Sequence, residues 1–168
     1  MDDDLRDLAA LLQERAGIDV QIARITGRSA RPGDVGEFIA SRIFDIELAA
    51  NPVQAGHDGS FRSGNLDKRT VNVKIYGDAA GGIDISQHEC DYYLVLSGSR
   101  KSAQQANDHR WRLSAVYLFD GAKLVGELRE RKVAIGTATS LRLSDLEYAR
   151  ITRWKVHNRC CPSATSSG

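Results

Sequence analysis

Three short stretches of the chain carry residue types that could do chemistry together. They are Glu37 in an apolar run, Asp58 within Gln54-Ala-Gly-His-Asp58-Gly59, and the tripeptide Asn72-Val73-Lys74. Carboxylates and amide oxygens are hard donors that suit a divalent cation, and an ammonium group beside them can balance charge on a phosphate. Hydrolysis of a phosphodiester needs an in-line water, neutralisation of charge at phosphorus and help for the leaving alkoxide. Magnesium held by one or two carboxylates, with waters and a phosphate oxygen completing the octahedron, meets these needs. The question for the sequence is whether its elements bring the three stretches to one end of a sheet.

Gly56 and Gly59 flank Asp58 and let backbone or ligand come close, so the segment from Val53 to Phe61 reads as a short interrupted strand. Ser63 to Arg69 reads as a turn. Thr70 to Tyr76 then alternates Val71, Val73 and Ile75 with Asn72, Lys74 and Tyr76, which predicts the second strand of a hairpin with Asn72 and Lys74 on one face. Upstream, Gly33 to Ile46 is predicted helical, with Asp34 as cap and Val35, Phe38, Ile39, Arg42, Ile43 and Ile46 along one side. Glu37 lies roughly opposite that side, yet it shares its own with Ala40 and Phe44, so it is either a solvated carboxylate or a functional one. Farther upstream, Leu5, Leu8, Leu11 and Leu12 predict a helix over 4–16 that ends at Gly17, and Val20, Ile22 and Ile25 could form a strand.

After the hairpin, 77–82 reads as a loop and Ile83-Asp84-Ile85-Ser86 as the start of a turn or short helix. Tyr92 to Leu96 is a continuous apolar run suited to a buried central strand, and Trp111 to Phe119 reads as the next strand, ended by Asp120-Gly121. Helical spacing returns over 122–132, 133–138 is short and apolar, and Ser144 caps a last helix. The expectation is one α/β domain over 1–157: an accessory helix and linker (1–32), a core (33–119), C-terminal helices and a strand (120–157), then a flexible tail (158–168).

At 168 residues there is room for one real core, and no apolar run approaches the length that spans a bilayer. The acidic start Met1-Asp2-Asp3-Asp4 is unlike a secretory or transit leader, and three cysteines, two of them adjacent, do not suggest a disulfide framework. A cytoplasmic protein is expected. His157 with Cys160 and Cys161 lacks a second pair to complete a zinc site. Residues 1–50 hold six Lys or Arg against ten Asp or Glu, and 101–168 hold twelve against six. The later third is therefore the better phosphate-facing candidate, although a mixed solvated surface explains the same numbers.

The order of Glu37 on a helix, Gly56-His57-Asp58-Gly59, Asn72-Val73-Lys74 and the buried strand at Tyr92 resembles the restriction-endonuclease-like superfamily with its PD-(D/E)xK signature. The resemblance covers about residues 33–119. It implies a restriction-endonuclease-like core, a central mixed sheet flanked by helices in the order helix, three strands, helix, strand, and magnesium-dependent cutting of DNA, with manganese able to substitute. It assigns Asp58, Asn72, the Val73 carbonyl and Glu37 to the metal and Lys74 to the attacking water. Two residues depart from the signature: His57 stands in the Pro position, and Asn72 stands where a second acid is expected, which removes one negative charge from the site. Asp84 could supply a displaced carboxylate or simply form a turn. Lys68, Arg69, Arg100, Lys101, Arg110 and Arg112 are candidate DNA contacts, with Arg150, Arg153, Trp154 and Lys155 a further cluster. Two copies are expected, because cutting both strands with one small site per chain calls for a dimer. The alternative is a catalytically inactive module on the same scaffold that binds nucleic acid or protein. A Ser elbow and a Gly-Lys-Ser/Thr phosphate loop are both missing from the sequence.

Overall fold

A computed structural model describes residues 3–51, 56–77, 83–86, 88–98, 113–136 and 149–151. Within them the elements are α1 (Asp3–Thr26), α2 (Pro32–Ile43), β1 (Ile46–Leu48), β2 (Gly59–Phe61), β3 (Thr70–Tyr76), β4 (Tyr92–Gly98), β5 (Leu113–Asp120) and α3 (Gly121–Glu130), with a 3-10 turn at Gly64–Leu66. The architecture is α/β, with a five-stranded mixed sheet in the order β1-β2-β3-β4-β5. Neighbours are antiparallel except β3 and β4, which run parallel with Val71 beside Tyr92 and Tyr76 beside Ser97.

Two apolar clusters cover the two faces of this sheet. One joins α2 to the sheet through Ala40, Phe44, Val71, Val73, Leu94 and Leu96. The other joins α3 and the segment after β3 through Ile83, Ile85, Tyr93, Val95, Phe119 and Leu124. β4 is buried on both faces, which explains its unbroken apolar sequence. β3 keeps the predicted alternation: Val71, Val73 and Ile75 belong to the α2 face, and Asn72 and Lys74 interrupt the apolar character of the other. The helix α2 buries a stripe of small residues, Gly36 and Ala40, followed by Phe44, and not the bulky side the spacing suggested; Ile43 is left exposed. Gly36 is the reason. A Cβ there would stand 2.7 Å from Ile75 Cγ2, so the hydrogen allows α2 to lie directly on β3. That contact carries the neighbouring Glu37 to the sheet.

Several expectations are corrected. α1 continues through Gly17, and Val20, Ile22 and Ile25 are helical and not a strand. A glycine inside a helix costs only about 1 kcal/mol, whereas Gly27, with φ of 68° and its N–H bonded to the Ala23 carbonyl at 2.9 Å, supplies the left-handed turn that ends the helix. β1 begins within the stretch predicted as the end of a helix, after the chain turns at Asp45, where φ is 54°. Ile83–Ser86 is irregular, and among the described residues no helix lies between β3 and β4, where the resemblance implies one. The 133–136 segment is not a strand; instead Arg150 bridges Tyr117 on the free side of β5, and the Ile151 N–H meets the Val116 carbonyl at 2.8 Å. The predicted helix opening at Ser144, the tail at 158–168 and the His157, Cys160 and Cys161 group lie outside the described residues.

Candidate functional site

β1 and β2 are three residues each, so they cover only the start of β3. The β2–β3 ladder stops at Gly59 opposite Val71. Beyond that point a side chain takes over from the strand: the Val73 N–H donates to Asp58 Oδ2 at 2.6 Å, while the Asp58 N–H donates to the Val71 carbonyl at 2.9 Å. Asp58 is thus stapled to the open edge of β3 by its backbone and its carboxylate at once. In an extended strand the N–H and carbonyl of one residue point to the same side, so the Val73 carbonyl faces that gap too. Gly59 permits the approach, since a Cβ on it would lie 2.4 Å from the Glu47 carbonyl oxygen.

Asn72 is buried, with its Nδ2 toward the Gly56 carbonyl at 3.4 Å, and its Oδ1 has no hydrogen-bond partner among the described residues. A buried amide oxygen without a donor is costly and calls for an explanation. The Cys90 thiol lies against the Asn72 backbone, and burial pushes it up from the ordinary thiol range, so it is not poised as a nucleophile.

Glu37 reaches the site from α2. Its Oε2 accepts from Arg28 at 2.6 Å, both side chains being only 13% exposed, and the other arm of Arg28 donates to the Ala49 carbonyl at 2.8 Å. Burial, followed by the charge of Asp58, drives the Glu37 carboxyl up to about 7 despite Arg28 and the more distant Lys74. Asp58 is raised as well, chiefly by burial, with the Val73 N–H, Lys74, Arg28 and His57 pulling the other way. Two desolvated carboxylates that repel one another, each influenced by Lys74 and Arg28, make an electrostatically unsettled cluster.

Glu37, Asp58, Val73 and Lys74 therefore lie in one neighbourhood, while the Asn72 side chain faces the Gly56 carbonyl. Two carboxylates, a backbone carbonyl and an amide oxygen are donors of the hard oxygen type. Among the described residues, however, no three His, Cys, Asp or Glu side chains gather as a metal-ligating group. Asp84 is exposed and its N–H meets the Tyr76 hydroxyl, so it serves the crossover turn. Sequence reasoning missed Arg28; a single basic residue after a helix-ending glycine carries no periodic signal.

The candidate nucleic-acid contacts fare differently. Lys68 is exposed in the hairpin turn with φ of 63°. Arg69 donates to Asp91 Oδ1 at 3.0 Å, an exposed pair, so its charge is already partly matched. Arg100, Lys101, Arg110 and Arg112, like Arg153, Trp154 and Lys155, lie outside the described residues. A cavity of about 940 Å³ opens at the start of β4, lined by Arg69, His88, Asp91, Tyr93, Asp120 and Arg129 among others, and it includes none of Glu37, Asp58, Asn72 and Lys74. No helix is long and apolar enough to cross a membrane, among the described residues. Neither a protein-family profile nor a curated protein matches the chain.

Proposed function

We propose that the chain is a magnesium-dependent phosphodiesterase of the restriction-endonuclease-like type, acting on DNA. The observation that carries the reading is the staple of Asp58 onto Val73 N–H, one residue before Lys74, with Glu37 close enough to be raised to about 7 by burial and by Asp58. Asn72 Oδ1, which has no partner among the described residues, is the second support, because a bound cation would supply one to this buried oxygen. Asp58, Glu37, the Val73 carbonyl and Asn72 Oδ1 would hold the ion. When bound, it would supply Lewis-acid polarisation of the phosphate and neutralise charge at phosphorus.

The chain's own residues do the rest. The Lys74 ammonium donates to the water that attacks in line with the scissile P–O bond and offsets the negative charge that builds on the phosphoryl oxygens. Arg28 keeps Glu37 in place and lowers the cost of its ionised form. His57, beside Asp58, favours the ionised form of that carboxylate. With magnesium, the purified protein is expected to nick supercoiled DNA; Asp58→Asn and Lys74→Ala are each expected to lower the rate by about 10² or more, since each removes a transition-state contact. Nicking that persists in both variants at the wild-type rate overturns the proposal.

Asn72 favours one competing reading. An amide in place of a carboxylate, together with a Glu37 already paired with Arg28, also suits a scaffold that binds nucleic acid without cutting it. That reading requires salt-sensitive DNA binding with no nicking in magnesium or manganese, and Asn72→Asp would then strengthen divalent-metal binding by restoring the missing charge.

A further inference from the structure

The helix α1 is 24 residues long, about 36 Å, and none of its residues is buried. Yet it is not polar. Leu5, Leu8, Leu11, Leu12, Ile18 and Ile25 are 51–72% exposed, and Ile22 is half-buried. Leu8, Leu11, Ile18, Ile22 and Ile25 fall at alternating intervals of three and four residues once Arg15 is counted, the spacing of a seam between two helices. Such a stripe, mostly facing water over about two and a half heptads, has no stabilising purpose in the isolated chain.

We infer that a second copy of this chain covers it, with the two α1 helices packed antiparallel. Charge selects that orientation. The half from Asp3 to Glu14 carries four acids against one Arg, whereas the half from Arg15 to Thr26 carries Arg15 and Arg24 against Asp19. Parallel helices would set the acidic halves side by side; antiparallel ones set each acidic half against the basic half of its partner and oppose the helix dipoles. The heptad spacing sets the register. Leu8 then packs against Ile25 of the second copy and Leu11 against its Ile22, and Arg15 comes within a turn of the second copy's Asp19. The area is sufficient: the five apolar side chains of the seam, each offering on the order of 100 Å² of apolar surface, give about 1,000 Å² for the pair, the least that a specific interface needs.

The experiment is sedimentation equilibrium of the full chain, followed by directed cross-linking. Wild type is expected to be a dimer, and the double variant Leu8→Glu with Leu11→Glu a monomer, its self-affinity weakened at least 100-fold while the circular dichroism of the sheet and helices is unchanged. Both positions are exposed, so the fold does not depend on them. With the native cysteines replaced by serine, Leu8→Cys and Ile25→Cys chains are expected to cross-link to one another when mixed and not to themselves. A monomeric wild type, a dimer that survives the glutamates, or self-cross-linking of each cysteine variant overturns the inference.

Discussion

At the scale of single residues, the site is defined by how much each charge is denied water. Glu37 is the most informative. Its proton is held more tightly in the folded chain than in the unfolded one, because burial and Asp58 raise its carboxyl from 4.5 to about 7. Between those values the folded state binds more protons, so stability falls as pH rises from about 4.5 to about 7 and is level above. Glu37→Gln retains an oxygen for Arg28 and removes the titration. It is expected to flatten this part of the stability profile and to raise stability at pH 8 by about 1 to 2 kcal/mol, solvent screening allowed for. Urea unfolding of both proteins at pH 5 and pH 8 measures it; a parallel loss of stability in the two proteins across that window would show that the Glu37 charge is comfortably accommodated. Asp58 is raised for the same reason, while Asp91, half-buried and bonded to the Thr70 N–H and hydroxyl, is held below the usual carboxylate range. The contrast separates a carboxylate that organises a loop from two that are crowded together.

At the scale of elements, small residues decide which side chains can meet. Gly36 lets α2 rest on Ile75, and Gly59 lets the Asp58 segment lie against β1. Gly59→Ala is expected to cost about 1 to 3 kcal/mol, because the new Cβ would meet a backbone carbonyl that cannot swing aside, and to release Asp58 from Val73. Chemical denaturation gives the energy, and amide exchange at Val73 reports the staple. Wild-type stability together with unchanged Val73 protection would contradict this account of how the site is held. Gly17 carries no such constraint, with nothing within 4 Å of its ideal Cβ, which is why it could be absorbed into α1 where the spacing suggested a stop.

At the scale of the molecule, the parts legible in the sequence are those whose pattern is local. The β3 alternation, the apolar run of β4 and the α3 spacing each report their own environment, and so the hairpin, the central strand and the face shared by Asn72 and Lys74 could be read directly. β1 could not, because Ile46-Glu47-Leu48 is as compatible with a helix end as with a strand, and only pairing with Phe61, Ser60 and Gly59 decides it. The buried side of α2 was hidden for a related reason: glycine and alanine carry little hydrophobic signal, and only the proximity of Ile75 shows their use. The outline of the proposed site rests on a resemblance in residue order. Its electrostatics do not, since the Arg28–Glu37 pair and the burial of the Asn72 amide depend on contacts between segments far apart in the chain.

The central claim is that Asp58, the Val73 carbonyl and their neighbours form a seat for a divalent cation. Its most direct test is anomalous diffraction from crystals soaked in manganese. The expected result is one strong peak within coordination distance of an Asp58 carboxylate oxygen and the Val73 carbonyl, lost in Asp58→Asn crystals; a fully ordered site with no peak there at millimolar manganese contradicts it.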